Sequence, residues 1–159
     1  ERLRRDEAED RRVQAGRQLP DFAIPSLADS TVMITRADLS GKTVLVDFWG
    51  TWCSPCIAEL PQLHELHEQY ADEGFDILSI ATFDTRGAIA TFREDRGFPM
   101  PWRHALLPDD QMEWARDRFE FTGIPAYLLV APDGSILAEG WDARGIGLVT
   151  ALETWFGDE

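Results

Sequence analysis

The chain has 159 residues, 44% of them apolar, two cysteines and a formal net charge of −14. That length suits one domain with an ordinary core, and the charge argues against nucleic acid and anionic membrane surfaces as partners. No apolar run approaches the roughly 18 residues of a membrane-spanning helix, and two cysteines cannot staple a disulfide scaffold.

Residues 1–17 are charged, with Leu3 and Val13 as their only sizeable apolar side chains. They read as a solvated helix or linker tail ahead of a domain at 18–159. The chain starts at Glu1 without a Met, so a trimmed or processed product is expected, with any targeting segment upstream. Residues 19–24 read as a short edge strand with Pro20 near its start, and 31–34 as a second. Thr43 to Trp49 is an apolar, β-branched run expected as a buried strand. A helix is expected over 54–72, where Ile57, Leu60, Leu63, Leu66 and Tyr70 recur at helical spacing. Pro61 lies inside it and should kink it. Then come a strand at 75–83, a helix at 87–96, a rigid loop at 97–102 and a short helix at 109–119. Strands at 126–131 and 135–141 form a hairpin about Pro132-Asp133-Gly134. A helix at 144–156 closes the chain. Alternation of strand and helix in the first half implies parallel strands; the hairpin adds antiparallel ones.

The chemistry concentrates at the junction of the apolar strand and the first helix. Cys53 and Cys56 stand there as C-x-x-C, close enough on one turn to bridge. Cys53 falls at the helix start, where unpaired N–H groups favour a thiolate. It is the expected nucleophile, with a pKa below the free value of ~8.5, and Cys56 the resolving thiol. Pro55 removes a backbone donor and stiffens the turn. A zinc site needs about four ligands, and no second cysteine pair exists. No metal and no cofactor is expected. His64 and His67 read as a solvated helix face.

The run Val46-Asp-Phe-Trp-Gly-Thr-Trp-Cys-Ser-Pro-Cys56, then Glu59-Leu60-Pro61, Thr122-Gly123-Ile124-Pro125 and Pro132-Asp133-Gly134, resembles the thioredoxin superfamily. More narrowly it is similar to the TlpA/ResA-like thiol–disulfide oxidoreductases. The resemblance covers roughly residues 19–157. It implies a thioredoxin-like α/β fold: a central mixed β-sheet flanked by helices, an N-terminal β-hairpin, and a helical insertion between about 84 and 121. It implies a protein-disulfide reductase with protein thiol or disulfide substrates and an upstream electron donor. It also implies an extracytoplasmic place, with a membrane anchor outside this stretch, cytochrome c biogenesis among the client processes, and a monomer. Asp47 matches the buried acid of thioredoxins and Glu59 an acid of the TlpA/ResA-like group. Either is a candidate proton acceptor for Cys56, and two neighbouring carboxyls would titrate as a coupled pair. Pro125 matches the superfamily's cis-proline, which would present the Ile124 backbone to an extended substrate. Trp49 and Trp52 are expected to shield the site, Trp52 as a contact surface for substrate.

Two rivals follow from the same fold. A thiol peroxidase of the peroxiredoxin type would need a T-x-x-C context, whereas Thr51 stands two residues before Cys53. A non-catalytic metal carrier would need a differently spaced cysteine pair.

Overall fold

The computed structural model describes residues 11–157. A five-stranded sheet runs in the order β5-β4-β3-β6-β7. Its strands are β3 (Thr43–Trp49), β4 (Phe75–Ala81), β5 (Arg103–Leu106), β6 (Ala126–Val130) and β7 (Ile136–Glu139). β3, β4 and β5 are parallel; β6 is antiparallel to β3, and β7 to β6. A separate antiparallel pair, β1 (Ala23–Pro25) and β2 (Met33–Thr35), forms the N-terminal hairpin. Five α-helices lie among the described residues: α1 (Ser54–Ala58), α2 (Leu60–Tyr70), α3 (Arg86–Asp95), α4 (Met112–Phe119) and α5 (Ile146–Phe156).

All seven residues of β3 are buried, as expected of a central strand covered on both faces. Side chains alternate across the sheet. Val44, Val46 and Phe48 join Leu78, Ile80, Leu128 and Val130 in one core, with Met112, Ala115 and Phe119 of α4. Leu45 and Trp49 face the other core, which holds Cys53, Cys56, the α2 stripe Leu60, Leu63, Leu66 and Tyr70, and Leu148 and Leu152 of α5. Asp47 shares the parity of Leu45 and Trp49, so it lies on the cysteine face.

The helix expected over 54–72 is two helices. Glu59 ends α1 and caps α2, with φ −93° and ψ −7°, and Pro61 falls in the first turn of α2. A proline there sacrifices only an N–H that a helix start leaves unpaired, and its fixed φ suits the turn. The break therefore comes before Pro61 rather than as a kink within one helix. Gly74, at φ 100°, turns the chain into β4.

β5 has no counterpart in the sequence reading, which ended the 97–102 loop without a strand. Pro99 and Pro101 precede it, and Arg103-His104-Ala105-Leu106 is too short to show alternation; pairing with β4 makes it a strand. The expected insertion is therefore helix, strand, helix. The loop before β5 puts Met100 at φ 45° and fully buries it. Its N–H donates to His64 Nε2 at 3.0 Å, and its carbonyl accepts from His104 Nε2 at 2.9 Å. His64, expected on a solvated face, is instead half-buried and bonded at both ring nitrogens.

Residues 1–10 of the expected tail lie outside the described residues. Residues 11–17 touch the domain through Val13, while Arg12, Ala15, Gly16 and Arg17 stay exposed. Val13 is 1% exposed and belongs to the α4-side core. Its N–H donates to Glu120 Oε1 at 2.8 Å, and Arg11 pairs with Glu139. Two apolar residues looked too few for a core face, but one side chain suffices where a pocket already exists. Val13→Ala should lower the unfolding free energy by about 1–2 kcal/mol, the worth of two buried methyls. Urea denaturation checks this; a change under about 0.5 kcal/mol, usual for a surface site, would return residues 11–17 to a solvated tail.

Candidate active site

Cys53 is the N-cap of α1, with φ −101° and ψ 99°, and Pro55 lies in the first turn. The Cys56 N–H donates to Cys53 Sγ at 3.3 Å. The two cysteines are joined as a disulfide, with Cα atoms 5.3 Å apart. Cys53 is 4% exposed and Cys56 2%, so Cys53 is hardly nearer the surface in the disulfide form.

The turn feeding Cys53 is tied to the loop after β4. Trp52 Nε1 donates to the Thr82 carbonyl at 2.9 Å, and its ring lies over Gly50. A Cβ at Gly50 would fall 2.5 Å from Trp52 Nε1, so only glycine lets the indole settle there. Thr51 donates to Asp84 twice, from N–H at 2.7 Å and from Oγ1 at 3.1 Å. Asp84 and Thr82 were missed in the sequence because they lie about thirty residues downstream. Only parallel pairing of β3 with β4 brings them alongside. Trp52 remains 55% exposed, whereas Trp49 is buried.

A polar row crosses the sheet. Asp47 on β3 is in register with Ser79 on β4 and Tyr127 on β6, and Ser79 with His104 on β5. Trp102 Nε1 donates to Ser79 Oγ at 2.8 Å, which leaves the serine proton for Asp47 Oδ2 at 3.1 Å. Asp47 Oδ1 has no partner. Burial is the main cause that pushes the Asp47 carboxyl up to about 7; the Ser79 bond opposes it and the charge of Glu59 adds to it. Burial likewise pushes His104 down to about 4, so it stays neutral near pH 7.

Glu59 is half-buried and accepts a hydrogen bond from Arg144 Nε in an ion pair. The Arg144 guanidinium stacks on Trp141, 4.5 Å from the ring centroid. Arg144 and Tyr127 were not singled out in the sequence. Burial, with Asp47 and Glu59 nearby, drives the Tyr127 phenol far above its ordinary range. The Ile124–Pro125 bond is cis, and Ile124 packs against both cores. A cavity of about 330 Å³ opens beside Pro125, walled by Phe48, Phe121 and Tyr127; neither cysteine lines it.

Cys53 and Cys56 are joined in one bond, Glu59 lies on the helix junction after Cys56, and Asp47 is buried on the same face of the sheet. A folded-state pKa of about 7 against an ordinary 3.8 means the native protein holds one more proton between those values. The sign is destabilising as pH rises: the neutral carboxyl is tolerated below about pH 4, and stability is lost up through pH 7. Asp47→Asn should therefore stabilise the oxidised protein at pH 8 by on the order of 2–4 kcal/mol, with the gain nearly absent at pH 4. Urea unfolding at the two pH values checks it; an equal effect at both would mean that Asp47 titrates normally.

A family model described as the AhpC/TSA family matches residues 15–138. A thiol–disulfide oxidoreductase ResA of Oceanobacillus iheyensis is 28% identical over 127 residues, 77% of this chain and 62% of that one. The chain thus spans under two thirds of that relative's length. Among solved structures, the thioredoxin domain of a thiol–disulfide oxidoreductase from Bacteroides vulgatus superposes with a TM-score of 0.79 at 28% identity. The match covers 91% of this chain and 99% of that one. A thiol:disulfide interchange protein from a Bacteroides species gives 0.78 at 27% identity, over 92% of both chains. With its disulfide at the N-cap of α1 and its mixed five-stranded sheet, the chain belongs to the AhpC/TSA family, as a TlpA/ResA-like member of the thioredoxin superfamily.

Proposed function

We propose that this chain is a thiol–disulfide oxidoreductase that reduces disulfides in protein substrates. The observation that carries the reading is the Cys53–Cys56 disulfide at the N-cap of α1, on the sheet face that also holds a buried Asp47 carboxyl poised near neutrality. The names of its relatives support the same activity.

In the working direction both cysteines start as thiols. The Cys53 thiolate attacks a substrate disulfide, forms a mixed disulfide and expels one substrate sulfur as a thiolate. Cys56 then passes its proton to Asp47. The Cys56 thiolate attacks Cys53 Sγ, closes the Cys53–Cys56 bond and releases the second substrate sulfur. Two electrons pass to the substrate, and an upstream dithiol donor returns them. Asp47 suits the acceptor role because a base works best with a pKa near the operating pH. Glu59, already paired with Arg144, is the weaker candidate. An extended substrate segment would pair with the Ile124 backbone before Pro125 and rest on the exposed face of Trp52, with Pro55 at the rim.

Similarity to the ResA proteins supports a place outside the cytoplasm and clients of the cytochrome c maturation type. Among the described residues no helix is long and apolar enough to cross a membrane, so an anchor would lie elsewhere. A monomer is proposed.

Cys56→Ser should trap a mixed disulfide through Cys53 that survives non-reducing electrophoresis, and Cys53→Ser should trap none. The reverse pattern would exchange the two roles. Ser54-Pro55 offers no histidine to stabilise the thiolate. Equilibration with glutathione buffers should therefore give a potential nearer the ~−270 mV of thioredoxin than the ~−120 mV of DsbA. A value at the oxidising end would sink the reductant reading.

A further inference from the structure

We infer that Arg144 is a positioning residue that offsets the charge of Glu59 and so sets the pH at which Asp47 takes up its proton. The inference rests on the reading of Asp47 as the acceptor for Cys56, and it assigns work to a turn far away in sequence.

Glu59 is fastened to the cysteine helix, since its N–H donates to the Cys56 carbonyl at 3.2 Å. That fixes its backbone three residues beyond Cys56, while its carboxylate turns to Arg144. Ser79 on β4 and Tyr127 on β6 stand in register with Asp47, with His104 beyond Ser79 on β5; the charge of Glu59 reaches both Asp47 and Tyr127, and Arg144 pairs with Glu59. Glu59 and Arg144 are the two of these that form an ion pair. An unpaired Glu59 would be a second negative charge beside an acid that already resists ionisation. Pairing with Arg144 offsets part of that charge, and the remainder still pushes Asp47 up. The two side chains are only 19% and 21% exposed, so water screens them weakly.

The turn that delivers Arg144 depends on glycine. After β7 the chain makes a tight helical turn at Gly140–Ala143, then extends at Arg144 with φ −136° and ψ 144°. Gly145 follows at φ 57° and ψ −129°, a conformation open to glycine almost alone. A Cβ at Gly147 would fall 2.3 Å from the Trp141 carbonyl oxygen. Ala143 is fully buried in the cysteine core and pins the turn. Trp141, 77% exposed, has its ring against the guanidinium, a contact that favours the cation and limits its freedom.

The test follows the Asp47 carboxyl by 13C NMR in the oxidised protein, where neither cysteine titrates, for wild type, Arg144→Gln, Glu59→Gln and the double variant. Arg144→Gln leaves an uncompensated anion and should raise the Asp47 midpoint by about half to one pH unit, modest for a nearby charge. Glu59→Gln leaves an uncompensated cation and should lower it by a similar amount. The double variant should return close to wild type, which a merely structural role of Arg144 would not produce. Single shifts of the same sign, a double variant that stays displaced, or no shift in Arg144→Gln would overturn the inference. If Arg144→Gln does not fold, the direction of the Glu59→Gln shift still decides. Rapid-mixing rates of Cys56 attack should move with the same midpoint, with Cys53 titrated separately by iodoacetamide. If Asp47→Asn leaves that pH limb in place, the acceptor role of Asp47 fails, while an Asp47 midpoint that still moves in Arg144→Gln keeps the electrostatic inference.

Discussion

A carboxyl group taken fully out of water is the constraint around which the site is arranged. Asp47 sits at the centre of β3, covered on both sides by neighbouring strands and closed in by the helices of the cysteine face. Burying a charge there is costly, so the group holds its proton to an unusually high pH. That cost is set against the small net stability of a domain this size. It persists on the sheet face of a disulfide whose reduction requires protons and whose formation releases them. Ser79 offsets part of the cost with one hydrogen bond, and Trp102 fixes the direction of that bond.

The remaining parts of the site hold the cysteine helix on the sheet face that this carboxyl shares. Trp52 and Thr51 fasten the incoming turn to the loop after β4 through Thr82 and Asp84. Glu59 divides two short helices, and that division lets α1 carry the cysteines while α2 lays its apolar stripe on the sheet. The same residue turns its carboxylate to Arg144. Backbone and side chain of Glu59 thus serve different purposes: one ends the cysteine helix, the other balances charge.

Much of the fold is legible in the residues. The buried strand, the α2 stripe and the hairpin turn are local patterns, set by periodicity and turn chemistry, and they hold to within a few residues at their ends. The helix break is displaced because Pro61 suits a helix start as readily as a kink. β5 was not legible, because four residues behind two prolines show no pattern until a neighbouring strand supplies hydrogen bonds. Val13 was not legible either, since a single valine signals burial only when its pocket is in place.

The C-x-x-C spacing at a strand-to-helix junction determined the disulfide chemistry from the sequence alone, whereas Asp47, Glu59 and Pro125 were read through the resemblance to the thioredoxin superfamily. Tertiary structure decided the environment of that chemistry. Ser79, Trp102, Tyr127 and Arg144 lie tens of residues from Asp47 or Glu59, on separate strands and turns. Their effect is electrostatic and acts through space, so it exists only once strand register and the Gly140–Gly147 turn have set the distances. Spacing along a chain specifies what one helical turn can hold. The pH at which a buried acid yields its proton depends on every charge packed around it.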